Sequence, residues 1–180
     1  MSFISPSSAE VRATLPGDDL VPDAQVTMDR AFDLPVPPRL AWPWLSQLGK
    51  NRAGWYFPHW IERFLPPGGR GLRHVDPALQ HLAVGDVVDD WGGADATFEI
   101  VVHEPPSTLV HWSRRGDARI SWTIVVSSAT GETSRVHLRF RIAGVRRVWL
   151  VRTGGELIDG LTVASLAAGL RERVVEARCV

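Results

Sequence analysis

Five short segments with the character of β-strands follow one another in the second half of the chain, and only a few residues separate each from the next. They span residues 84–91, 96–103, 108–114, 119–127 and 133–142. The connectors contain residues that favour tight turns: Gly92-Gly93, Pro105-Pro106, Gly116-Asp117 and Gly131-Glu132. Connections this short join antiparallel neighbours, because a parallel crossover needs roughly a dozen residues or more. The sequence therefore predicts an antiparallel meander.

Apolar side chains alternate with polar ones along three of these segments, which is typical of a sheet with one buried face. The alternating apolar positions are Phe98, Ile100 and Val102; Ile120, Trp122, Ile124 and Val126; and Val136, Leu138, Phe140 and Ile142. On the opposite face, the last segment carries Arg135, His137, Arg139 and Arg141. We interpret this arginine-rich face as solvated, because an amphipathic strand requires the same spacing.

Further elements precede and follow the strand region. They are a strand at 25–34, short helices at 39–48 and 58–65, and a long helix at 156–178. The long helix has Leu166 and Leu170 on its apolar stripe. The predicted class is α+β, with a curved antiparallel sheet of six to seven strands wrapped around the C-terminal helix and two short helices after the first strand.

The chain of 180 residues is long enough for one domain with its own core. Residues 1–22 mix Ser, Pro, Gly and Asp without a periodic apolar face, so we interpret them as an N-terminal arm. The single domain then covers residues 23–180. We expect deletion of the arm to leave the fold intact and to cost little stability.

Composition limits the partners and the cellular location. Twenty basic and twenty acidic residues give a formal net charge of +0, which argues against a nucleic-acid partner. Cys179 is the only cysteine, so neither an intrachain disulfide nor a cysteine-based zinc site can form. No stretch is apolar enough for a membrane span, and we expect a cytoplasmic protein without integral membrane association.

Two sequence blocks resemble a known family. They are Trp42-Pro43-Trp44-Leu45 and Arg52-Ala53-Gly54-Trp55-Tyr56. Both resemble a bacterial, polyketide cyclase/dehydrase-like branch of the SRPBCC superfamily, which also contains START lipid-binding domains and the plant pollen-allergen fold. The resemblance implies a helix-grip fold that encloses a cavity for an apolar small molecule. It does not imply one reaction, since members include carriers, cyclases and activators of chaperone ATPases.

A curved sheet touches a straight helix along only part of its face, so we predict an apolar hollow between them. The residues predicted to contact a ligand there are Trp55, Tyr56, Trp60, Trp91, Phe98, Ile100, Trp122, Ile124, Leu138, Phe140, Leu166 and Leu170. Core packing is the alternative interpretation for each of them.

His111 is the candidate catalytic residue. If Leu109, His111 and Ser113 face inward, an imidazole that titrates near neutrality lies in an apolar pocket, as acid–base catalysis of cyclisation or dehydration requires. If Val110 and Trp112 face inward instead, His111 lies on the surface. The sequence leaves both orientations open.

Other catalytic signatures are absent from the sequence. Gly68-Gly69-Arg70-Gly71 lacks the residues of a phosphate-binding loop, and there is no nucleophile elbow or zinc helix. His59 and Glu62 have helical spacing, which we interpret as a surface pair and not as a metal site. We expect neither a metal nor a cofactor.

Three functions stay open at this point. The first is binding of an apolar or aromatic small molecule, with the possibility of cofactor-independent cyclase or dehydratase chemistry. The second is a carrier or sensor of lipid-like or other hydrophobic ligands without turnover. The third is an interaction module similar to a chaperone-ATPase activator. The sequence also leaves the oligomeric state open.

Overall fold

Six antiparallel strands form one curved sheet in the computed structural model, which describes residues 4–178. The strands are β1 (Val26–Leu34), β2 (Val87–Asp89), β3 (Thr97–Glu104), β4 (Thr108–Arg115), β5 (Ala118–Thr130) and β6 (Thr133–Ala143). Their order across the sheet is β1-β6-β5-β4-β3-β2, so β1 lies beside the last strand of the meander.

Five α-helices accompany the sheet in the part of the chain that the structure describes. They are α1 (Ser8–Arg12), α2 (Pro38–Gln47), α3 (His59–Glu62), α4 (Val148–Leu150) and α5 (Glu156–Glu176). A π-helical turn, Val151–Gly155, joins α4 directly to α5. The predicted fold class is confirmed, including the two short helices after the first strand.

Strand β2 is much shorter than the segment predicted at 84–91. The reason lies in two aspartates at its ends, whose side chains bind nearby backbone groups and form turns. Asp86 accepts a hydrogen bond from the Ala83 amide at 2.8 Å, and Asp90 accepts one from the Gly92 amide at 3.1 Å. Val87–Asp89 is the part of this segment that forms a regular ladder with β3.

The strand register shows which side chains share the concave face of the sheet. One row runs across five strands and consists of Met28, Phe140, Trp122, His111 and Ile100. His111 is therefore on the same face as the apolar positions of β5 and β6, and it is buried. The inward-facing orientation of His111, one of the two left open by the sequence, is the observed one.

Helix α5 packs over this concave face. Leu166 and Leu170 are fully buried and join the same core as Ile124 and Leu138. Gly169 permits a close approach to the loop beside α5, because a Cβ atom at this position would clash with the Tyr56 carbonyl oxygen. The C-terminal half of α5 is thus held tightly against the rest of the domain.

The N-terminal arm crosses the convex face of the sheet. Arg139, only 2% exposed, donates to the carbonyl oxygens of Glu10, Val11 and Ala13 in the arm. It also donates to Asp29 of β1 at 2.8 Å. The interpretation of this face as solvated was wrong for Arg139, which is buried and bonded to carbonyl groups of the arm. It was also wrong for His137, which is buried and bonds through Nε2 to Asp29 of β1.

These contacts change the expectation for the arm. Deletion of residues 1–22 removes the buried side chain of Val21 and the carbonyl partners of Arg139. We now expect a loss of at least about 3 kcal/mol of unfolding free energy. Urea denaturation of the truncated and full-length chains measures this difference.

A matched pair of substitutions within the arm provides the control. Val21→Ala removes a fully buried side chain and should cost about 1–3 kcal/mol, whereas Val11→Ala at a half-exposed position should cost less than about 0.5 kcal/mol. A truncated chain as stable as the full one would show that the arm contributes nothing.

Candidate ligand-binding cavity

A cavity of about 370 Å³ lies between the first turns of α5 and the concave face of the sheet. Its lining residues are Met28, Trp55, Asp90, Trp91, Gly92, Phe98, Arg115, Ile120, Trp122, Phe140, Gly155, Ile158, Asp159, Thr162 and Val163. A volume in this range is sufficient for a small organic ligand.

Aromatic rings form much of the cavity wall. Trp55 meets Trp91 edge to face with ring centroids 5.4 Å apart and stacks on Trp122 at 6.5 Å. The indole Nε1 of Trp55 donates to the Thr162 carbonyl oxygen at 3.2 Å, which fixes this ring against α5. Phe98 lies 6.5 Å from Trp122. Flat rings held in this way offer apolar surfaces for stacking on a ligand.

The predicted ligand-contact residues fall into two groups in the structure. Those that line the cavity are Trp55, Trp91, Phe98, Trp122 and Phe140. Those placed in the solid core are Ile100, Ile124, Leu138, Leu166 and Leu170. The second group packs together because the C-terminal half of α5 closes onto the sheet there, so no space for a ligand remains among these side chains.

Tyr56 and Trp60 lie away from the cavity. The Tyr56 hydroxyl donates to the Trp44 carbonyl oxygen and accepts from Gln47 Nε2, both at 2.9 Å. Burial raises the pKa of Tyr56 well above its usual value. Trp60 lies on the outer surface, in a shallow groove beside α5. Tyr56 therefore anchors a loop, and Trp60 faces outward.

His111 lies behind the cavity wall. Its ring stacks on Trp122 with centroids 4.8 Å apart and meets Phe98 edge to face at 5.8 Å, and it is not among the residues that line the cavity. Nδ1 donates to the Trp122 carbonyl oxygen at 3.2 Å. Burial lowers the pKa of His111 to about 4. The imidazole is neutral at pH 7 and supports the two rings that contact the cavity.

An ion pair borders the cavity on the sheet side. Arg115 Nη2 donates to Asp90 Oδ2 at 2.6 Å, and Arg115 Nε donates to the Ser113 hydroxyl at 3.1 Å. The guanidinium also lies over the Phe98 ring, 5.0 Å from its centroid. A polar ligand group near this edge would meet both a donor and an acceptor.

Asp159 is the polar residue that α5 brings to the cavity. Its Oδ2 atom lies 3.0 Å from Arg30 Nε, but neither atom makes an aligned hydrogen bond within the described residues. Burial raises the pKa of Asp159, and the nearby charge of Glu156 adds to this effect, while Arg30 opposes it. A carboxyl with a raised pKa in an apolar cavity is suited to proton transfer.

Several residues that line the cavity are not among those predicted from the sequence. Met28 alternates with Val26 in the first strand and was therefore available as an inward position. The other lining residues lie on α5, up to three turns before the two helix residues predicted to bind: Ile158, Asp159, Thr162 and Val163. Their helical spacing indicates that they face the sheet, but the sequence does not show where along α5 the cavity begins.

Glu62 is not part of a surface pair with His59. It is buried and accepts hydrogen bonds from Arg173, from Arg73 at 2.8 Å and from the Gly71 amide at 3.2 Å. Among residues 4–178, no group of three His, Cys, Asp or Glu side chains is placed to hold a metal ion. The role of Glu62 is to bind arginines in the interior.

Comparisons with known proteins show the fold. No protein-family model matches the sequence, and no curated protein matches it. Solved structures do match: a START superfamily protein from Mycobacterium smegmatis has 7% identity over 84% of this chain and 98% of its own, with a TM-score of 0.50. A protein from Rhodobacter sphaeroides has 13% identity over 86% of this chain and 95% of its own, with a TM-score of 0.53.

The architecture is therefore a helix-grip fold, as the resemblance to the SRPBCC superfamily implied. Identities this low define the fold and leave the ligand and any reaction to be inferred from the cavity. Within the described part of the chain, none of the helices has the length and apolar character needed to cross a bilayer.

The buried state of His111 gives a pH prediction. Its folded pKa of about 4 lies below the ordinary value of 6.5, so the unfolded chain binds more protons between these values. Stability should therefore fall by up to about 3 kcal/mol as pH drops from 6.5 to 4, and His111→Phe should remove this component. Urea denaturation of both chains at several pH values measures it.

Carboxylates also titrate in the lower part of this range, so the difference between the two chains is the informative quantity. NMR titration of the His111 imidazole signals reports this pKa directly. A His111 signal that titrates near 6.5 would contradict the burial described above.

Proposed function

We propose that this chain binds an apolar or aromatic small molecule in the cavity between α5 and the sheet. The observation that carries the proposal is the cavity of about 370 Å³ with an aromatic wall and few polar groups. The helix-grip fold supports it, since in this fold the space under the helix is a natural ligand site. A protein that acts only through its outer surface would need no such cavity.

The polar groups at the cavity suggest how a ligand would be oriented. Its apolar body would stack on Trp55 and Trp122, and a polar group would reach either the Asp90–Arg115 pair or Asp159. The ligand would thus have an aromatic or alicyclic body with one or two polar substituents.

Filling the cavity tests this proposal. Val163 is buried and lines the cavity, so Val163→Phe places a ring in the space that the ligand would take. We expect phenylnaphthylamine, a neutral probe that fluoresces in apolar sites, to bind saturably to the parent chain and at least about tenfold more weakly to Val163→Phe. Energy transfer from the cavity tryptophans to the probe gives the signal.

Val84→Phe at an exposed position is the matched control and should bind the probe like the parent. Circular dichroism and thermal unfolding establish that both variants are folded. Equal affinity in the parent and in Val163→Phe, or no saturable binding in the parent, would refute binding at this cavity.

Acid–base turnover is a second candidate function, favoured by the raised pKa of Asp159 at the cavity wall. As a carboxylate, this side chain would take a proton from the ligand, and as a carboxylic acid it would return one to a departing hydroxyl group. Such chemistry fits the cyclase or dehydratase hypothesis, with Asp159 in the role that the sequence suggested for His111.

Two substitutions separate the candidates. If turnover occurs on a panel of linear polyketide-like compounds, Asp159→Asn should reduce it by about a hundredfold or more and keep probe binding. His111→Phe should retain turnover, because the imidazole lies behind Trp122. Loss of turnover in His111→Phe alone would restore the histidine as catalyst. Absence of turnover in the parent would favour a carrier or sensor.

A further inference from the structure

The start of the long helix exposes an unusual number of large apolar side chains. Trp149, Leu157, Ile158 and Leu161 are each 66% or 67% exposed, and Trp60 on the neighbouring helix α3 is 62% exposed. We call these five residues the apolar ridge. A folded chain normally buries most side chains of this size, and a cluster of exposed ones marks an interaction surface.

The ridge residues lie on elements that follow one another in the chain or share a groove. Trp149 lies in α4, which runs through the π-helical turn into α5 and its three ridge residues. Leu161 and Trp60 line the same shallow groove, together with Ile61 and Ala164. The ridge thus extends from α4 along α5 to α3.

Positive charge accompanies the ridge. Arg146, Arg147 and Arg152 are exposed in the segment 145–161, whereas Glu156 is its only exposed acidic residue. The other acidic side chain of the segment, Asp159, is half-buried and paired with Arg30. An apolar surface with neighbouring arginines is complementary to a layer that is negative outside and apolar inside.

Other partners fit this combination less well. A second copy of the chain, packed symmetrically on the ridge, would bring two sets of three arginines into one interface. A nucleic acid would satisfy the arginines but would leave the leucines and tryptophans against phosphates. An anionic bilayer satisfies both sets, because its head groups are negative and its acyl chains accept apolar side chains.

We propose that the apolar ridge docks the protein onto the surface of an anionic lipid bilayer. Trp149, Leu157 and Leu161 enter the boundary between head groups and acyl chains, and the three arginines contact lipid phosphates. Ile158 belongs both to the ridge and to the cavity lining, so the docked face includes one edge of the cavity. The proposal stands on this surface alone and does not depend on the ligand.

Vesicle binding tests the proposal. We expect the full chain to sediment with phosphatidylcholine vesicles that contain phosphatidylglycerol, and to do so at least about tenfold more weakly with phosphatidylcholine alone. Raised salt should weaken binding to the anionic vesicles, because it screens the arginines. A blue shift of tryptophan emission on binding should accompany the insertion of Trp149.

Two sets of variants separate the apolar and charged contributions. The double variant Leu157→Glu/Leu161→Glu and the double variant Arg146→Gln/Arg147→Gln should each bind anionic vesicles at least about tenfold more weakly. Val84→Glu/Val87→Glu changes two equally exposed apolar residues outside the ridge and should bind like the parent. Circular dichroism and thermal unfolding show that the variants are folded.

Three results would overturn the proposal. The first is absence of vesicle binding by a monomeric parent. The second is a concentration-dependent dimer in sedimentation velocity that Leu157→Glu/Leu161→Glu dissociates, with no vesicle binding, which would assign the ridge to a second copy. The third is equal loss of vesicle binding in the ridge variants and in Val84→Glu/Val87→Glu.

Discussion

A buried arginine joins the long helix to the loops beside it, and the shape of the cavity depends on that junction. Arg173 of α5 is fully buried and donates to the carbonyl oxygens of Leu72, Phe57 and Gly71 at 2.7, 2.9 and 3.0 Å, and to the carboxylate of Glu62. Burial of two opposite charges is costly, and it is tolerated here because the guanidinium finds a partner for each of its three nitrogens. These bonds hold the C-terminal half of α5 close to the segment that also carries Trp55. The N-terminal half of α5 then lies over the sheet without closing onto it, and the space between them is the cavity.

The two faces of the sheet show how far strand alternation can be interpreted. Alternation correctly predicted the apolar concave face, because burial of side chains on one face is what produces that pattern. It was wrong about the opposite face, where Arg139 and His137 are buried although they are polar. A polar face under a loop has the same alternation as a polar face in water. The distinction depends on whether another segment supplies acceptors, and those in the arm are mostly backbone carbonyl groups, which no residue pattern reveals.

The residues that line the cavity could also be predicted from the sequence only in part. Strand positions such as Phe98, Trp122 and Phe140 followed from alternation, and the register places Trp122 and Phe140 opposite each other. On α5 the cavity lies closer to the start of the helix than predicted: Leu166 and Leu170 pack in the core, and Ile158 and Thr162 line the cavity. Both pairs have the same spacing along the helix, so periodicity cannot separate them. The separation comes from long-range contacts, such as the fit of Gly169 against the Tyr56 carbonyl, which close one half of the grip and leave the other open.

The ionisable side chains that border the cavity lie at the open half of the grip, beneath the N-terminal half of α5. In the closed half, α5 and the sheet meet through leucine and isoleucine, and the buried charges of Arg173 and Glu62 bind each other away from any cavity. In the open half, Asp159 from the first turn of α5 and the Asp90–Arg115 pair border the same space, and each keeps a charged partner within reach. A charge at a cavity wall retains access to water or to a ligand, so its desolvation cost is lower than in a packed core. The tight junction at one end of α5 therefore makes possible both the aromatic wall and the ionisable groups at the other.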